Sequence, residues 1–71
     1  MFGYAIVIEK ANGDYSAYCP DLPGCVATGA SVKETTARIR EAIEFHIEGL
    51  KAEGLGVPPP AATAALVEIA L

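Results

Sequence analysis

At 71 residues the chain holds one domain at most, and a core of that size supplies only about 3–5 kcal/mol. Hydrophobic residues make up 52% of it, more than a small monomer can cover, so a homo-oligomer is expected. The formal net charge of −4 argues against direct nucleic-acid binding by this chain and suits a basic protein partner.

Residues 4–9, Tyr-Ala-Ile-Val-Ile-Glu, are rich in β-branched side chains and apolar on both faces. That pattern predicts a strand in the interior of a sheet. Asn12-Gly13 is a strong two-residue hairpin signal. The strand predicted after it, residues 15–19, places Tyr15, Ala17 and Cys19 on one face and Ser16 and Tyr18 on the other.

Cys19-Pro20-Asp21-Leu22-Pro23-Gly24-Cys25 ends that strand. Pro20 and Pro23 fix φ and remove two donors, which excludes a central strand. Gly24 lets the chain recover through positive φ. The result is a shaped corner, in which Asp21 and Leu22 are expected to be exposed. A short third strand follows over residues 25–28, and Gly29 closes it.

Ser31 and Glu34 have the spacing of a capping box, with Ser31 as N-cap. The helix is expected over residues 32–53, with Gly54 just past its end. Val32, Thr36, Ile39, Ile43, His46, Ile47 and Leu50 form its core stripe, and Arg40, Glu41, Glu44, Glu48 and Lys51 its solvent face. Arg40 and Glu44 are the expected ion pair. Phe45 falls off the stripe beside Ala42 and Gly49, as a partner contact would, or as a ring folded over the helix edge would. Three prolines stiffen the exit, and residues 65–71 alternate well enough for a last strand.

The predicted architecture is α+β: a small mixed sheet, β-β-β-α-β, in order 3-2-1-4, with one long helix on one face. The strand after the helix runs parallel to the first and lies beside it. The other sheet face is left bare, a second argument for assembly.

Catalysis and metal binding find little support. Two cysteines and one histidine fall short of a structural zinc site, and no cofactor is expected. Cys19 and Cys25 read as small buried thiols, reduced in a cytosol, because no secretory leader or membrane span is visible. His46, on the apolar stripe, reads as a packed residue. Glu9, Asp14 and Asp21 do not converge as the acids of a metal-dependent nuclease would. No glycine-rich phosphate loop or Ser-His-Asp arrangement is present. The expectation is therefore no enzyme.

The run from Cys19 to Cys25, then Val26, Gly29, Ser31, Glu34, and Glu41-Ala42-Ile43-Glu44 with Leu50, resembles the HicB-like antitoxin family. The resemblance extends from Tyr4 to about Lys51. It implies a partial ribonuclease-H-like fold without the catalytic acids. It implies a dimer or tetramer that masks HicA, a small basic toxin that cleaves mRNA. Pro20, Pro23, Gly24, Cys25, Ser31 and Glu34 would then be structural, and Asp21, Leu22 and Phe45 are the expected partner contacts. Many members carry a DNA-binding module after this region; none follows Leu71, so operator binding is not expected. The competing reading is a solitary self-assembling module that binds a small ligand or another protein.

Overall fold

Asn12 and Gly13 both take positive φ, 48° and 85°, as a type I′ turn requires. The turn joins β1 (Val7–Ala11) to β2 (Asp14–Tyr18) in an antiparallel hairpin that pairs Ala11 with Asp14 and Val7 with Tyr18. β3 (Val26–Gly29) pairs antiparallel with the other edge of β2, and α1 (Val32–Ala52) follows. The computed structural model describes residues 3–71. The fold is α+β, a three-stranded antiparallel sheet in order β1-β2-β3 with one long helix packed on β2 and β3.

Register decides the two faces of the sheet. Ile8, Ala17 and Ala27 lie across from one another on the helix side. Val7, Tyr18 and Val26 form the matching row on the open side, where Tyr18 and Val26 are exposed. The bare face is therefore apolar at one end. The core under the helix is Ala17, Cys19, Leu22, Cys25 and Ile39, with Tyr4, Ile6, Ile8, Ala42, Ile43 and Ile47 packed around it.

The helix begins where the sequence predicts. Ser31 is the N-cap and its Oγ accepts from the Glu34 N–H at 3.0 Å. The return bond differs by one residue, since Glu34 Oε1 accepts from the Ala30 N–H at 3.0 Å and not from Ser31. The helix ends in a Schellman motif. Gly54, at φ 71°, donates to the Lys51 carbonyl at 3.1 Å, and Leu55 donates to the Leu50 carbonyl at 2.8 Å.

The core stripe is rotated at its start. Thr35 is fully buried and Val32 is exposed, the reverse of the periodicity-based expectation. Gly29 explains it. A Cβ there would lie 2.6 Å from Thr35 Oγ1 and 2.9 Å from Thr35 N, so the end of β3 and the first helical turn meet backbone to backbone. Thr35 can be buried because its hydroxyl donates to the Ser31 carbonyl at 2.7 Å. On the helix surface, among the described residues, the ion pair is Arg38 with Glu34 at 3.4 Å, and not Arg40 with Glu44. Arg38 also donates to the Thr28 carbonyl at 3.1 Å, which explains the preference.

The largest departure is at the end of the chain. No fourth strand forms among the described residues, and β1 is an edge strand, not an interior one. The prolines and Asp21 account for the difference. The Tyr4 hydroxyl donates to the Pro58 carbonyl, and the Asp21 carboxylate accepts from the Ala61 and Ala62 N–H groups at 3.0 and 3.1 Å. These bonds lead the chain past the start of β1 toward the β2–β3 loop. Residues 63–71 are all exposed. The longest dimension, 49 Å, exceeds the helix, whose 21 residues span about 32 Å at about 1.5 Å each. The radius of gyration is 13.7 Å, against about 11 Å for a compact chain of this length.

Candidate partner-binding surface

The β2–β3 connection is two turns back to back. The Leu22 N–H donates to the Cys19 carbonyl at 3.1 Å with Pro20 between them, and the Cys25 N–H donates to the Leu22 carbonyl at 3.1 Å across Pro23-Gly24. Proline followed by glycine at φ 84° is the type II arrangement. The Cys19 N–H donates to the Cys25 carbonyl at 3.2 Å and closes the loop at its base. Each proline therefore sits where its missing donor costs nothing.

This corner points inward. Leu22 is fully buried, contrary to the expectation of an exposed leucine, because the two turns fold its side chain between the cysteines and Ile39. Cys19 and Cys25 are free and buried. Burial, reinforced by Cys19, raises the Cys25 thiol above its ordinary value, so it stays protonated and unreactive at neutral pH. Asp21 is half-buried, and its carboxylate is occupied by the two backbone donors of the departing chain. Asp21 and Leu22 thus organise the fold's end, whereas Phe45 lies on a separate surface.

Phe45 is 79% exposed, and Val26 at the start of β3 is 65% exposed. Together with Ala42, His46, Gly49 and Leu50 they line a groove of about 390 Å³ between the helix flank and the β3 end of the sheet. The small residues Ala42 and Gly49, one turn to either side of Phe45, keep the groove open. Glu41 and Glu48 lie four before and three after Phe45, so they share its helix face, and both are exposed. The arrangement is an exposed aromatic in an apolar groove with carboxylates around it. Sequence periodicity marked Phe45 but missed Val26, which reaches the groove because it is the first residue of the edge strand β3, next to the β2–β3 loop. His46 lines the groove, as does the buried Cys25 at its floor, and no group of three or more His, Cys, Asp or Glu side chains among the described residues is placed to hold a metal ion. No helix among them is long and apolar enough to cross a membrane.

Comparison with known proteins relates the chain to others by sequence and by fold. The model of the HicB_like antitoxin of bacterial toxin-antitoxin systems matches residues 4–69. A UPF0150 protein of Synechocystis is 42% identical over 59 residues, covering 82% of this chain and 75% of its own. A UPF0150 protein of Thermoplasma acidophilum is 39% identical over 56 residues, covering 78% and 81%. A 14.9 kDa protein from the rep-hol intergenic region of Haemophilus phage HP1 is 47% identical over 47 residues, which are 66% of this chain, but this chain spans only 35% of its length. Among solved structures, a chain of the HicA3 and HicB3 toxin-antitoxin complex superposes with a TM-score of 0.71 at 35% identity, over 83% of this chain and 70% of that one.

Proposed function

The chain belongs to the HicB-like antitoxin family, and from that premise we propose that it is the antitoxin of a type II toxin–antitoxin pair that binds and occludes a small basic, mRNA-cleaving toxin of the HicA type. The observation that carries the reading is the exposed Phe45 in its apolar groove, flanked by Glu41 and Glu48. An aromatic anchor supplies affinity, and surrounding carboxylates steer a basic partner and fix its register. The likeness to a chain of a HicA3–HicB3 complex supports the same reading. Inhibition is by occlusion, in the cytoplasm, without chemistry or a cofactor of this chain's own. The chain acts as a homo-oligomer, a reading supported by the apolar residues left exposed at the chain's end.

The test uses the purified chain and a small basic ribonuclease of the HicA type, the expected product of a neighbouring gene. RNA cleavage by that toxin is expected to stop at equimolar ratio. Phe45→Ala is expected to weaken binding by about 30-fold or more, the effect of losing a hot-spot side chain, with the circular dichroism spectrum unchanged. Glu41→Lys with Glu48→Lys is expected to slow association and reduce its salt dependence. Undiminished RNA cleavage, or full affinity in Phe45→Ala, overturns the proposal. The second reading, a solitary self-assembling module, is favoured by the exposed chain end and predicts self-association with no toxin bound.

A further inference from the structure

Gly49 is a glycine that the fold does not use. Gly13, Gly24 and Gly54 take positive φ, and Gly29 lies against the backbone of the first helical turn. Gly49 does neither. Its φ is not positive, and nothing lies within 4 Å of where its Cβ would stand. It is not needed to end the helix, because that exit belongs to Gly54. Gly3 and Gly56 also have open space around them, but they lie outside helix and strand. Gly49 lies inside α1, where glycine lowers the folded-to-unfolded ratio about four- to five-fold relative to alanine. The chain carries that loss with no return in its own packing.

The missing side chain faces the groove already described. Gly49 stands one turn after Phe45 and lines the groove of about 390 Å³ with Val26, Leu50 and Glu53. Gly49 and Phe45 are both exposed, so an occupant enters from outside. The volume admits a large side chain, since a closed apolar cavity of about 150 Å³ holds benzene. Glu53 lines the groove, Glu41 and Glu48 share the face of Phe45, and all three are exposed. Among the described residues, no lysine or arginine lines it. Apolar walls with carboxylates around them suit an apolar side chain carried among cations.

We propose that Gly49 is the specificity-determining position of this groove: its missing side chain opens the seat for one large apolar side chain of the basic partner, flanked there by lysine or arginine. The inference rests on the antitoxin reading above and names its contact. Without a Cβ at position 49, the partner comes close to the helix backbone one turn from the Phe45 ring. Phe45 then packs on one side of the inserted group, and Leu50 and Val26 line the rest of the seat. The carboxylates meet the flanking cations. A side chain at position 49 would fill the seat from within and leave the rim charges as they are.

The test sets stability against binding in the same variants, with the full chain and the HicA-type ribonuclease. Gly49→Ala is expected to raise the melting temperature by about 3–8 °C. It is expected to weaken toxin binding about 10-fold, and Gly49→Leu by about 100-fold, within the range that overpacking gives. The loss is expected in the dissociation rate, with the salt dependence of association unchanged, because no charge is altered. A warmer-melting chain that binds less tightly cannot owe the loss to unfolding. A wild-type chain that does not bind the toxin overturns the antitoxin reading and this inference with it. Full affinity in both Gly49 variants, beside a weakened Phe45→Ala, overturns the seat alone. A lowered melting temperature in Gly49→Ala also overturns it, since the glycine would then serve the fold. Loss of self-association in sedimentation, with toxin affinity unchanged, overturns it by assigning the seat to a second copy.

Discussion

Leu22→Ala tests how the loop contributes to the fold. Leu22 is fully buried, yet it lies on a connection between strands and not on the sheet or helix. Truncation of a buried leucine removes the transfer free energy of the lost atoms and leaves a cavity, about 2–5 kcal/mol in all. The loop's relaxation is limited, because both its turns are closed by backbone bonds at 3.1 Å and its base by another at 3.2 Å. A value near 3 kcal/mol is therefore expected. For a domain whose core supplies about 3–5 kcal/mol, that is most of the stability. In thermal terms the shift is about 12–24 °C, at about 4–8 °C per kcal/mol for a domain of this size. Urea and thermal unfolding followed by circular dichroism read it directly, at fixed protein concentration, since association of copies, where it occurs, adds its own stability. Leu22→Met, which conserves volume, is expected to cost less than about 1.5 kcal/mol. A loss below about 0.5 kcal/mol in Leu22→Ala would refute the reasoning, since that is what an exposed loop leucine gives.

Three further outcomes follow from the structure. Gly29→Ala places a Cβ 2.6 Å from Thr35 Oγ1 and 2.9 Å from Thr35 N, and the backbone cannot yield as a side chain would; a loss of about 1–3 kcal/mol is expected in urea unfolding, and an unchanged midpoint would contradict the close approach. Ser31→Ala removes the 3.0 Å cap to the Glu34 N–H and is expected to cost about 1 kcal/mol by the same assay, with Ser31→Asp close to wild type. Cys25 carries a pH dependence. Its thiol is raised by burial and by Cys19, so as pH rises the unfolded chain releases this proton first. Stability from this group is full below the ordinary thiol range and falls as pH rises through it toward the raised value; urea midpoints from about pH 7 to about pH 10 should fall less steeply in Cys25→Ala.

Local rules made much of the chain legible in advance. Asn12-Gly13, the Ser31–Glu34 cap and the Gly54 exit each depend on a few neighbouring residues, and each is found where those residues stand. The two prolines and Gly24 likewise specify a corner, since fixed φ, missing donors and positive φ are properties of single residues. Phe45 stood out because a large apolar side chain off the helix stripe breaks a period that the sequence itself displays.

What lay beyond the sequence depends on which surfaces meet. Thr35 is buried in place of Val32 because the backbone at Gly29 comes within contact distance of the first helical turn, a distance no periodicity encodes. Leu22 points inward because two turns closed on the same carbonyl-to-amide frame aim it at Ile39. Residues 65–71 have the alternation of a strand, and that much is intrinsic to them. Whether they pair is decided by the Asp21 carboxylate, which takes the amides of Ala61 and Ala62 and directs the chain away from its own β1. Composition and period determine which segments can be strands and helices. Only the packed structure decides which edge each strand reaches, because hydrogen bonds from backbone amides to a side-chain carboxylate forty residues away set the path between them.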